Sequence, residues 1–75
     1  MPHESNNEAT VEAKKAIIDN EALMWKNTLY QMEMRARISV KIGDKEAVER
    51  LKTEIEKAIR WIEALKEERE SLVGE

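Results

Sequence analysis

The residues with the most chemical potential in this chain are few and scattered. His3 is the single histidine, and Glu4 is its one sequence neighbour of ligand or triad type. A lone His–Glu pair lacks the ligands a metal site needs, and the chain has no cysteine to supply them. His3 therefore reads as a solvated tail residue. Carboxylates are plentiful, and Glu49, Glu56, Glu63 and Glu70 recur every seven residues, with Glu67 near them. Paired acids do general acid–base work only where burial or a cleft drives their proton affinities apart. Heptad spacing instead sets these acids along the outer ridge of a helix. Local pairing of Glu46 with Arg50, and of Glu56 with Arg60, fits such a solvated face. No Glu-x-x-His pair, glycine-rich phosphate loop, HExxH or GxSxG motif occurs. The expectation is a protein that is not an enzyme and has no metal or cofactor.

One basic cluster stands out. Arg35, Arg37, Lys41 and Lys45 fall in one stretch, with Arg50 and Lys52 just beyond. Such a cluster could meet phosphate, so a nucleic-acid-binding regulator is the alternative reading. No aromatic residues interleave with the charges to stack on bases, and Glu46 and Glu49 dilute them. Asn20 and Asn27 lie seven apart and could set the register of an assembly if buried. Trp25 and Trp61 are large apolar anchors, and Met24, Met32 and Met34 can fill irregular gaps.

The elements that carry these residues are helices. Residues 1–7 read as a mobile tail. Helix-compatible sequence starts near Glu8, with Ser5 or Asn7 as cap, and no glycine or proline interrupts it before Gly43. Asp19-Asn20 is its weakest point, because both residues favour caps over helix interiors. Gly43 suits the left-handed position after a helix end, and Asp44 can cap the second helix. The reading is a helix over about 8–42, a turn at 43–44 and a helix over about 45–73, all within one unit covering 8–75. So short a connection makes the helices antiparallel neighbours.

A heptad pattern says which faces meet. The second helix places Val48, Ile55, Ile62 and Arg69 at a, and Leu51, Ala58, Leu65 and Leu72 at d. The first places Val11, Ile18, Trp25, Met32 and Ser39 at d, and Lys15, Ala22, Leu29 and Ala36 at a. With Ile42 opposite Lys45, Ala36 faces Leu51, Met32 faces Ile55, Leu29 faces Ala58, Trp25 faces Ile62 and Ala22 faces Leu65. Alanine against leucine lets facing layers interdigitate. The same register sets Glu33 near Lys52, Asp19 near Lys66 and Arg35 near Glu54, with Glu21 near Glu68 as the conflict. Ile18 then meets Arg69 and Lys15 meets Leu72, so the open end should be looser than the turn.

Apolar residues remain once that seam is filled: Ile17, Leu23, Met24, Tyr30, Met34 and Ile38 on the first helix, Ile59 and Trp61 on the second. A chain of 75 residues has little core of its own, and without cysteines its natural staple is oligomerisation. The expected architecture is all-α: an antiparallel helical hairpin of two long helices that self-associates, coiled-coil fashion, as a four-helix-bundle homodimer. Its surface for itself or a partner is Leu23, Tyr30, Met34, Ile38, Ile59 and Trp61. A basic turn and an acidic open end favour antiparallel pairing of the two copies.

Charge is balanced at a net −3, which gives no general attraction to nucleic acid or anionic membrane. No apolar run approaches the ~18 residues of a membrane span. The start of the chain is polar rather than a secretory leader, so a cytoplasmic setting is expected. The functional expectation is a structural or interaction protein: an adaptor, an assembly subunit or a small inhibitor that contacts another protein.

Overall fold

The structure is a computed structural model that describes residues 10–73. These residues form two helices, α1 (Val11–Ile42) and α2 (Lys45–Val73), packed against each other, with no strand among them. The tail expected over residues 1–7 and the caps expected at Ser5 or Asn7 lie outside the described residues. Thr10 is extended, at φ −70° and ψ 168°, and is the cap of α1 at Val11; the start expected near Glu8 lies outside the described residues. The Thr10 hydroxyl oxygen accepts a hydrogen bond from the Ala13 amide at 3.0 Å, satisfying one of the donors a helix start leaves free.

α1 runs without a break through Asp19-Asn20. The propensity cost of two such residues is at most about 1.4 kcal/mol in total. Seam contacts of Ile18 and Ala22 on either side, and the ion pair made by Asp19, offset it.

The reversal takes one glycine and one aspartate. Gly43 sits at φ 77° and ψ 21°, the left-handed region that favours a residue without Cβ. Its amide donates to the Val40 carbonyl at 3.2 Å, and the Asp44 amide donates to the Ser39 carbonyl at 2.9 Å. This pair of hydrogen bonds is a Schellman closure of α1. Asp44 also starts α2, where its carboxylate oxygen accepts from the Ala47 amide at 3.0 Å. One residue thus ends one helix and caps the next, which is why two turn residues suffice.

The packed surfaces are the ones the heptads name. On α2, Leu51, Ala58 and Leu72 are buried, and Val48, Ile55, Ile62 and Leu65 are half-buried. On α1, Ser39 is buried, and Val11, Lys15, Ile18, Ala22, Trp25, Leu29, Met32 and Ala36 are half-buried. Ala58 has no exposed surface at all, as an alanine facing the larger Leu29 should. Arg69 is the seam position left in solvent.

Two cross-helix contacts pin the register from either side. Trp25 stacks on Trp61, and Asp19 pairs with Arg69 rather than with Lys66. One contact is a residue ahead of the level pairing of Ile42 with Lys45 and the other a residue behind, so they bracket it. Arg69 holds Asp19 because its long side chain reaches back across the seam from a position level with Ile18. Its Nε lies 2.7 Å from one carboxylate oxygen and its Nη2 lies 3.4 Å from the other. The other expected pairs differ too. Lys52 is taken by Glu49 on its own helix at 3.2 Å instead of by Glu33, because an i,i+3 partner needs no crossing of the seam. Nor is the open end left bare, since Leu72 is buried there and the Asp19–Arg69 pair spans it.

Candidate self-association surface

What the hairpin buries is small. Among the described residues the buried apolar side chains are Ala47, Leu51, Ala58 and Leu72, and no large side chain is fully enclosed. Exposed beside them are Ile17, Leu23, Met24, Tyr30, Met34, Ile38, Val40, Ile42, Ile59 and Trp61. A two-helix unit has one line of contact, so each helix can cover only the arc that faces the other. α2 suits that geometry, being apolar along one stripe and charged elsewhere. α1 does not, since it is apolar on its seam and again on its outer arc. A helix apolar on opposite sides is normally covered on both.

The exposed apolar residues are not one patch. Successive helical residues are about 100° apart, which separates them by face. On one face of the hairpin, three open grooves run end to end. The turn-end groove, about 500 Å³, is lined on α1 by Met32, Arg35, Ile38 and Ser39, and on α2 by Ala47, Arg50, Leu51 and Glu54, with Asp44 between. The central groove, about 290 Å³, shares Met32 and Glu54 with it and adds Met24, Trp25 and Thr28. Glu21 and Lys57 rim that central groove. The open-end groove, about 200 Å³, lies between Ile17 and Ile18 on α1 and Glu68 and Leu72 on α2. Residues spaced three and four apart line all three, which places them on one side.

The opposite side is edged by charged residues but is grooved as well: at the turn, a groove of about 310 Å³ lies between Val40 on α1 and Val48 on α2, beside Lys45 and Glu49. Its groove at the open end, about 180 Å³, is edged by Asp19, Lys26, Lys66 and Arg69 over Ala22, Ile62 and Leu65. The Asp19 carboxylate, first as hydrogen-bond acceptor and then as a nearby charge, raises the proton affinity of the Arg69 guanidinium. That pair is exposed on both partners and serves alignment more than stability.

Of the six residues expected to form the contact surface, Ile38 and Trp61 belong to the face with three grooves. Trp61 is 44% exposed, and its ring stacks on Trp25 with centroids 5.2 Å apart and planes 8° from parallel. Leu23, Tyr30 and Met34 fall on the arc of α1 turned away from α2, and Ile59 flanks the opposite side. All four are exposed, but the hairpin does not gather them with Ile38 and Trp61. Val40 and Ile42, which lie off the heptad seam, are also exposed at the turn. Thr28 and Ala47 escape a search for large apolar residues. Both occupy g positions where a charge is usual, and their small side chains open the grooves.

The basic residues near the turn are exposed: Arg35, Arg37, Lys41 and Lys45. They do not share a face. Arg35 looks over the turn-end groove, whereas Arg37 and Lys41 lie on the outer arc of α1. Asp44, Glu46, Glu49 and Glu54 sit among them. Asn20 and Asn27 are exposed on that same outer arc. Among the described residues no three His, Cys, Asp or Glu side chains are grouped as metal ligands, and no helix is long and apolar enough to cross a membrane.

Fold and surface together define a two-helix hairpin grooved on both sides of its seam, the longer run of grooves being the one lined by Met24, Met32 and Ile38. Compared with protein-family models, with curated proteins and with solved structures, the chain matches none.

Proposed function

We propose that this chain is a small non-enzymatic interaction protein, a helical hairpin that completes its core by pairing with a second copy as a four-helix bundle. In that form it acts by contacting another protein, as an adaptor, an assembly subunit or a small inhibitor. The observation that carries the proposal is the imbalance of burial. Two of the four buried apolar side chains are alanines, while ten larger apolar side chains among the described residues stand exposed. Those gathered beside the grooves, Ile17, Met24, Ile38 and Trp61, form the apolar stretch that supports an interaction site. Support for a binding rather than a catalytic role comes from Glu49, Glu56, Glu63 and Glu70, which lie exposed along the outer ridge of α2.

Light scattering after size exclusion, over a wide concentration range, tests it. The expected mass is twice the 8.7 kDa of the chain. A fully helical species that stays monomeric at every concentration would overturn the proposal.

A further inference from the structure

We infer that the second copy lies antiparallel on the three-grooved face, with the two-fold axis crossing at the level of Thr28 on α1 and Ile59 on α2. This inference rests on the self-association proposed above and specifies which surface is used and in which direction. It is carried by the placement of four of the exposed charges that line that face, Arg35 and Arg50 toward the turn and Glu21 and Glu68 toward the open end, with Lys14, Asp44, Glu54 and Lys57 as the others.

Their spacing is symmetric. Arg35 and Glu21 are equally far from Thr28 along α1, in opposite directions. Arg50 and Glu68 are equally far from Ile59 along α2. In the register with Ile42 opposite Lys45, Thr28 and Ile59 stand at the same level. A two-fold axis at that level, perpendicular to the helices, lays α1 over α1 and α2 over α2, running in opposite directions. It brings Arg35 to Glu21 of the partner subunit and Arg50 to Glu68 of the partner subunit, each twice. Every contact then repeats through the axis, as an isologous interface requires.

The apolar residues obey the same symmetry. Met24 and Met32 flank Thr28 equally, so each methionine meets the other kind across the interface. Lys57 and Trp61 flank Ile59 equally, so Trp61 of one copy arrives over the central groove beside Lys57 of the other. An indole there covers apolar surface and offers its ring face to the ammonium group.

The parallel alternative has the opposite sign. Its axis runs along the hairpin and lays α1 over α2 of the partner at equal height. Arg35 would then approach Arg50 of the partner subunit, and Glu21 would approach Glu68 of the partner subunit. The same four charges therefore attract in one orientation and repel in the other, and such juxtapositions select orientation.

The chain has no cysteine, so single-cysteine variants report the geometry directly. With a short thiol cross-linker, Thr28→Cys is expected to give a covalent dimer and Lys45→Cys is expected to stay unlinked, its two copies being at opposite ends. Cross-linking of Lys45→Cys without Thr28→Cys, in a species of dimeric mass, overturns the antiparallel assignment and leaves self-association standing. A dimeric mass with neither variant linked overturns the choice of face. A monomeric mass at all concentrations removes the self-association and this inference with it. As an independent check, Arg35→Glu should raise the dimer Kd by about threefold or more, with Arg35→Glu/Glu21→Arg restoring it. No change in Kd for Arg35→Glu, in a variant whose circular dichroism is intact, also overturns the inference.

Discussion

Trp25 and Trp61 stack across the hairpin, their ring centroids 5.2 Å apart and their planes only 8° from parallel. Trp25 is a seam residue, and Trp61 lies at its edge with nearly half of its surface free. The pair therefore joins the interior of the hairpin to its open face. An offset stack of this kind adds about 0.5–1.5 kcal/mol beyond the area it covers.

Trp25→Ala is expected to destabilise the fold by about 3 kcal/mol, the lower end for truncating a packed tryptophan, because Trp25 is half-buried rather than enclosed. Urea unfolding followed by circular dichroism measures it. Trp61→Glu should behave differently: the helices persist, and self-association is lost. A Trp61→Glu protein with unchanged mass in solution would place that indole outside the interface.

Ala58→Leu tests the packing of the seam. Ala58 has no exposed surface, so three added carbons have nowhere to go without moving α1. Overpacking of this sort costs about 1–3 kcal/mol. Thermal or urea unfolding should show the loss, and an unchanged midpoint would mean that Ala58 does not face α1.

At the turn, Gly43→Ala isolates backbone strain from steric clash. A Cβ on Gly43 meets nothing within 4 Å, yet φ is +77°. The expected loss is about 1–2 kcal/mol, the cost of a left-handed conformation for an ordinary residue. A D-alanine at the same position, introduced by peptide synthesis, should remove that loss. If L- and D-alanine proved equally costly, strain in φ would not be the cause.

Asp44→Ala removes the acceptor of the Ala47 amide and should cost about 0.5–2 kcal/mol by loss of the cap. Asp44→Asn or Asp44→Ser keeps an acceptor oxygen and should recover most of it. Equal stability of all three variants, measured by urea unfolding, would contradict the capping role.

The Asp19–Arg69 pair predicts a coupling that shrinks as salt rises. Both side chains are about half exposed, so solvent screens them. A double-mutant cycle with Asp19→Asn and Arg69→Gln, repeated at low and high ionic strength, measures it. Coupling that grows with salt would be incompatible with an exposed ion pair.

Much of this molecule was determined along the chain itself. The 3-4 spacing of Val48, Leu51, Ile55, Ala58, Ile62 and Leu65 names the buried face of α2, because helical periodicity is a local property. Gly43 and Asp44 mark the reversal for the same reason: a left-handed φ and a cap depend on the residue type in place. The pairing of Ile42 with Lys45, and hence the general register, is imposed by so short a turn. Where the long side chains go is settled once the helices lie side by side, and not along either of them. Arg69 could have reached several acids, and its reach selects Asp19; Lys52 turns to Glu49 within its own helix. Nor could spacing alone divide the surplus apolar residues. Trp61 and Ile38 join Met24, Trp25 and Met32 on one grooved side, while Leu23, Tyr30 and Met34 point away, because a residue's distance from the neighbouring helix depends on the azimuth at which the two helices meet. That angle belongs to the pair, and no single segment encodes it.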